Sequence, residues 1–126
     1  GATCNGVPIS VSDCKEIGSA RLFINEADKI AISEPYVFAK LINAGDLRRM
    51  SADCYPHALV ACGLADAVVD FDLQPYDYLP VCAVVQAAGG IMTDWQGKPL
   101  TRSSDGRILT AATSALHAAL LEMVST

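Results

Sequence analysis

The sequence predicts an α/β fold, and three observations carry that prediction. Short apolar or β-branched runs, such as Ala67-Val68-Val69, alternate along the chain with longer segments whose apolar residues recur at helical spacing. Gly, Pro and Asn punctuate most junctions between these segments. The 126 residues are 52% hydrophobic and 18% charged, enough apolar material for one core and too little charge for global disorder.

The elements follow in order. Asn5-Gly6 is a hairpin signal, with Val7, Ile9 and Val11 alternating behind it. Residues 20–25 (ARLFIN) read as a buried strand. Ser33-Glu34-Pro35 reads as a helix start, with serine as N-cap and acid and proline in the first turn; the helix runs to Ile42 and ends at Asn43-Ala44-Gly45. Residues 48–53 read as a short strand, and residues 56–62 as an apolar helix stopped by Gly63. Residues 67–69 form a compact strand, and residues 75–88 a helix closed by Gly89-Gly90. Residues 91–95 lead as a strand into the turn Gln96-Gly97. Residues 108–111 form a last strand and residues 114–124 an amphipathic closing helix. A chain that opens on a hairpin, with no βα unit ahead of it, reads as one that something precedes.

Charge and cysteine usage narrow the function classes. A net charge of −5 argues against nucleic acid or an anionic membrane as partner. No apolar run reaches the roughly 18 residues of a membrane-spanning helix, and GATCNGVPIS lacks the basic and apolar regions of a signal peptide. The five cysteines include no CxxC pair, and neither His57 nor His117 supplies zinc-ligand spacing. They read as buried, reduced thiols of a cytoplasmic protein.

The densest carboxylate cluster is Asp66, Asp70, Asp72 and Asp77, with Asp53 upstream. Acids beside a strand end and a helix start suit a hard cation, and Asp77 at the start of a helix could supply one ligand. Singly, each acid reads first as a turn or cap residue on a solvated edge, and only for Asp77 do the two readings balance. Asp70-Phe71-Asp72 opens like a calcium loop, but Pro75 stands at the required glycine and no closing Glu follows. The same residues end an apolar strand in DxD, as in aspartyl phosphatases of the haloacid dehalogenase type, with Asp70 as nucleophile and Asp72 as acid. Gln74 departs from that pattern, and no later lysine with paired aspartates is evident. His57, after Pro56 on an apolar helix, reads as a packed histidine rather than a base, and Ser114 and His117 lack a triad acid.

The segment PYDYLPVCAVVQAAGG, residues 75–90, resembles the second signature of the inositol monophosphatase family. SADCYPHALVACGLADAVVDFDLQPYD before it, GGIMTDWQGKPL after it and the opening GATCNGVPISVS are also similar to that family, in the family's order. Within it, D-C-Y, L-Q-P-Y-D and T-D-W-x-G-x-P-L are closest to histidinol-phosphate phosphatases, which would place the protein in histidine biosynthesis. The resemblance implies the C-terminal αβ half of an αβαβα sandwich, with a mixed sheet flanked by helices. It implies an enzyme that hydrolyses small phosphomonoesters with magnesium (Mg2+). Asp77 matches the metal-ligand Asp. Asp70 matches the acid that contacts the alcohol part of the substrate. Ser51, Ala52 and Asp53 match the substrate-side loop, where Asp53 could hold a cationic amine such as that of histidinol.

Three departures stand out. Gln86 replaces the usual acid before Ala-Gly-Gly, Asp70 replaces the commoner Glu, and Ser51-Ala52 stands where histidinol-phosphate phosphatases have two glycines. The family's first metal-binding signature has no counterpart in this sequence. The resemblance therefore implies the C-terminal half of a longer enzyme, inert without its N-terminal half because one Asp cannot hold two magnesium ions. Half a sandwich is expected to expose apolar surface where the other layer packs. A non-catalytic binding or oligomerisation module of the same fold is the alternative from another class. The family also admits a homodimer, which no residue pattern here shows.

Overall fold

The computed structural model describes residues 1–125. The chain opens with a two-stranded hairpin, β1 (Ala2–Cys4) and β2 (Val7–Ile9), turning on Asn5 and Gly6, both in the left-handed region. A single 3-10 turn, Ile17–Ser19, leads into β3 (Arg21–Ile24). Then come α1 (Ala27–Ser33), α2 (Pro35–Leu41), β4 (Leu47–Met50), α3 (Tyr55–Ala61), β5 (Ala67–Asp70) and α4 (Pro75–Ala87). β6 (Ile91–Asp94), β7 (Ile108–Ala111) and α5 (Ser114–Val124) complete the chain.

The five longer strands form one mixed sheet in the order β4-β3-β5-β7-β6. β3 pairs in parallel with β4 and β5, while β7 is antiparallel to both β5 and β6. Side chains alternate across the sheet as a period of two requires. Leu22, Ile24, Val69 and Leu109 pack with α1, α2 and α5 through Ile30, Val37, Leu41, Leu116 and Leu120. On the other face, Ile108 and Met92 pack with Tyr78 and Val85 of α4, and Val68 packs with Val60 of α3. Every residue of β5 and β7 is buried, as expected for central strands covered on both faces. This is the α/β layering that the sequence predicts.

Four details differ from the sequence reading. Ser33 is not the cap of a helix running to Ile42; it ends an additional short helix, α1, and Glu34 precedes α2. Pro35 forces the break: it lacks an N–H and sits at the start of α2, where none is needed. β4 stops at Met50 instead of continuing to Asp53, because Ser51 and Asp53 take left-handed conformations that no strand accommodates. Of the five cysteines, all free, only Cys82 is buried; Cys4 and Cys54 are exposed. Among the described residues both sheet faces are covered by helices, so exposed large apolar residues lie on the hairpin (Val7), on the helices (Ile32, Tyr36, Tyr55, Tyr76, Val84), in the loop after α3 (Leu64) and on the edge strand β4 (Leu47, Met50).

Gly106 has a positional role near the cleft described below. At φ +85° it lets its carbonyl accept from Leu73 N–H at 3.1 Å, and a Cβ there would lie 2.5 Å from the Leu73 carbonyl oxygen. The loop between β5 and α4 is thereby pinned to the loop before β7. No described helix is long and apolar enough to cross a membrane.

Candidate functional site

The parallel strands β3, β4 and β5 point the same way, so their C-terminal ends share one edge of the sheet. The chain turns sharply after each. Glu26 follows β3 at φ 50°, Ser51 and Asp53 follow β4 at 57° and 53°, and Asp72 follows β5 at 59°. Among the described residues only Asn5, in the hairpin, is a further non-glycine residue in this region. Such a conformation costs on the order of 1 kcal/mol for a residue with a Cβ, so its concentration at one edge marks a place where geometry overrides local preference.

A cleft of about 450 Å³ opens at this edge, walled by the start of α4 and floored by the ends of the strands. Asp53, Asp70, Asp72 and Asp77 all line it, as does Glu26. The structure thus brings together three of the sequence-predicted site residues, Asp53, Asp70 and Asp77, from three segments. Ser51 and Ala52 belong to the loop behind Asp53 and do not line the cleft. Asp66 belongs elsewhere: it accepts from the Arg21 guanidinium at 3.0 Å and from the Ser12 hydroxyl, at the opposite end of β5.

The acids differ in environment. Asp70 is 1% exposed, and both its oxygens are engaged. Oδ1 accepts from Phe71 N–H at 2.9 Å; Oδ2 accepts from Asn25 Nδ2 at 2.9 Å and from His57 Nε2 at 2.8 Å. A carboxylate only accepts, so His57 Nε2 carries the proton, and in the neutral ring Nδ1 accepts from the Thr110 hydroxyl at 2.9 Å. Among the described residues no buried side-chain nitrogen or oxygen lacks a partner. This saturation leaves Asp70 poorly suited to nucleophilic attack, and the aspartyl-phosphatase reading has no geometric support.

Asp77 is exposed at the first turn of α4, where its Oδ2 accepts from Gln74 N–H at 2.9 Å. The cap reading and the ligand reading of Asp77 are therefore compatible, because one carboxylate oxygen remains. Asp72 and Glu26 are bridged by Lys29, with Nζ at 2.8 Å and 3.2 Å respectively, and this pairing offsets part of the negative charge at the rim. Gln86 is exposed on α4 and does not line the cleft, so its departure from the family pattern lies away from this site.

The described residues do not by themselves fit a magnesium ion. No three His, Cys, Asp or Glu side chains among them are grouped to hold a metal, and Asp70 has its oxygens committed. Two exposed carboxylates not paired with Lys29 line the cleft, Asp53 with no side-chain partner among the described residues and Asp77 with one oxygen left over from its cap, of the kind a hard cation accepts.

Two residues at the cleft escaped the sequence reading. His57 was expected to be packed, and it is, but its ring also supports Asp70. Asn25 was read only as the end of a strand. Its one sequence signal is that a polar amide closes an otherwise apolar run, ARLFI.

The model of the inositol monophosphatase family matches residues 1–126. A histidinol-phosphatase of Chlorobaculum parvum is 33% identical over 126 residues, covering 98% of this chain and 48% of that protein. A chloroplastic bifunctional phosphatase of Arabidopsis thaliana is 32% identical over 94 residues, covering 75% of this chain and 27% of that protein. An inositol monophosphatase structure from Zymomonas mobilis superposes with a TM-score of 0.90 at 29% identity, covering 97% of this chain and 48% of that one. The chain spans about half, or less, of the length of these relatives.

Proposed function

Because the chain belongs to the inositol monophosphatase family, we propose that it forms the substrate side of a magnesium-dependent phosphomonoesterase acting on histidinol phosphate or an inositol phosphate. The observation that carries the reading is the shared cleft of Asp53, Asp70 and Asp77 at the C-terminal ends of parallel strands. Open α/β sheets bind ligands at such an edge. Asp77 contributes one carboxylate to a magnesium site whose other ligands come from sequence outside these 126 residues. The ion, when bound, supplies electrostatic stabilisation of the developing charge on phosphorus-bound oxygens.

The residues of this chain bind and orient the alcohol part of the substrate. Asp70, fixed by three hydrogen bonds at the floor, meets the alcohol through the lone pair that Oδ1 has left after Phe71 N–H, and Asp53 at the wall faces a cationic group. An ammonium opposite an exposed carboxylate gains a charge-assisted hydrogen bond. The acidity of the cleft favours a cationic alcohol over a neutral polyol, which supports histidinol phosphate, and with it a place in histidine biosynthesis. The similarity to a histidinol-phosphatase points the same way. We assign the enzyme to the cytoplasm because all five of its cysteines are free.

Phosphate release from L-histidinol phosphate and from inositol 1-phosphate tests this, with and without magnesium. The measurement is made on this chain alone and on the chain mixed with the N-terminal half of a homologous enzyme. The expected result is no turnover by the chain alone and magnesium-dependent turnover, faster with histidinol phosphate, on mixing. Robust magnesium-dependent turnover by the 126 residues alone would overturn the shared-ligand reading. Faster turnover of inositol 1-phosphate would overturn the substrate preference.

A further inference from the structure

We infer that Asn25 is the positioning residue of the cleft, its amide tying the loop that carries Asp53 to the carboxylate of Asp70. Asn25 sits just past β3, 1% exposed, with its backbone N–H donating to the Val69 carbonyl of β5 at 2.9 Å. Its side chain reaches both ways. One Nδ2 hydrogen goes to the Asp53 carbonyl at 2.6 Å and the other to Asp70 Oδ2 at 2.9 Å. Oδ1 accepts from Ala52 N–H at 3.2 Å. No hydrogen of the amide is left over, so it cannot turn away without leaving the buried Asp70 carboxylate short of a donor and releasing Ala52 and Asp53.

The loop needs such a tether. β4 is the edge strand, paired only with β3, and its ladder ends at Met50. Beyond it Ser51 and Asp53 both hold left-handed backbones, a conformation that would relax if the loop were released. Asn25 supplies two donors to this corner and one acceptor. Aspartate would supply no donor, and serine could not span Asp53, Asp70 and Ala52 at once. The consequence is that the backbone carrying Asp53 is held at a fixed distance from the Asp70 carboxylate, so a ligand that meets both finds the loop already in place. The tether stands on geometry alone; its meaning for binding rests on the reading of Asp53 and Asp70 as substrate contacts.

The test uses the 126-residue chain, its variants Asn25→Ala and Asn25→Asp, and Leu109→Ala as a control destabilised in the buried strand β7. Amide exchange by NMR reads the tether, and titration with L-histidinol, the phosphate-free alcohol, reads the cleft without any metal. In Asn25→Ala, exchange at Ala52 should rise at least tenfold relative to the control, with β5 still protected. L-Histidinol affinity should fall about tenfold in both Asn25 variants and stay unchanged in Leu109→Ala. In the wild type, the Asn25 side-chain amide should exchange at least tenfold more slowly than that of the exposed Asn43, a measurement that stands even if the variants do not fold. Unchanged Ala52 exchange, or an Asn25 amide as labile as that of Asn43, overturns the proposal. So does unchanged affinity in a variant whose loop has loosened. If the loop loosens but the wild type binds no L-histidinol, the tether is upheld and the substrate reading of the cleft fails.

Discussion

Asp70 and Asp77 line one cleft but answer to different forces, and mutation should separate them. Asp77 is exposed and caps a helix, so Asp77→Ala should cost about 0.5–1 kcal/mol of folding stability while removing the magnesium-dependent activity of the reconstituted enzyme. His57→Ala should do the reverse in emphasis. It takes a hydrogen-bonded ring from between Thr110 and Asp70 and leaves a buried carboxylate short of a donor, at a cost of roughly 3 kcal/mol or more. Urea unfolding of the two variants measures the contrast, and equal losses would contradict it. Thiol chemistry offers a second check at this scale. Burial pushes the Cys82 thiol up from its ordinary value, so alkylation near neutral pH should mark Cys4 and Cys54 well before Cys82. Mass spectrometry of partly labelled chain reads the order. Asp77 was legible in the sequence because its signals are local: a proline, an aromatic residue and a following apolar helix. Asn25 was not, because its partners lie 28 and 45 residues away and no local pattern announces them.

Most helices and strands were legible because period and punctuation agree, as at residues 75–88, where proline opens and Gly-Gly closes a run with helical spacing. α1 was missed for a related reason. It has seven residues, only Ala27 and Ile30 of them buried, too few to show a period before Pro35 ends it. The other end of β5 shows how elements are tied by charge. Burial works to raise the Asp66 carboxyl, but hydrogen bonds from Arg21 and Ser12 outweigh it and hold it below the ordinary carboxylate range. A carboxyl depressed in the folded state stabilises above its unfolded value and loses that contribution as pH falls through the folded one. Wild type should therefore exceed Asp66→Asn in melting temperature above about pH 4 and approach it below. His117 acts in a higher window. Burial on the inner side of α5, against Thr93 of β6, lowers its pKa below 6.5. The unfolded chain then takes up the proton first, so stability declines as pH falls below 6.5 towards the folded value. In His117→Gln that step should vanish while the Asp66 step remains, and thermal melts across pH 3 to 8 resolve both.

At the scale of the whole molecule, folding and catalysis come apart. Both faces of the five-stranded sheet are covered, by α1, α2 and α5 on one side and by α3 and α4 on the other, and the exposed large apolar residues, Ile32, Tyr36 and Tyr76 among them, lie outside the sheet faces. Periodicity in a sequence reports burial, and so it could announce the sheet and its helices. It could not report that the edge of that sheet gathers Asp53, Asp70 and Asp77 while burying Asp70 under three donors. A closed core predicts a single cooperative unfolding transition for the 126 residues, with calorimetric and van't Hoff enthalpies in agreement. The open edge predicts that the same sample releases no phosphate. Calorimetry and a phosphate assay on one preparation test the pair together. A cooperative fold without turnover upholds both halves of the reading. A broad transition with dye-binding apolar surface would mean that the helices shown here do not suffice to close the core. The shape of the cleft could not then be ascribed to these helices alone.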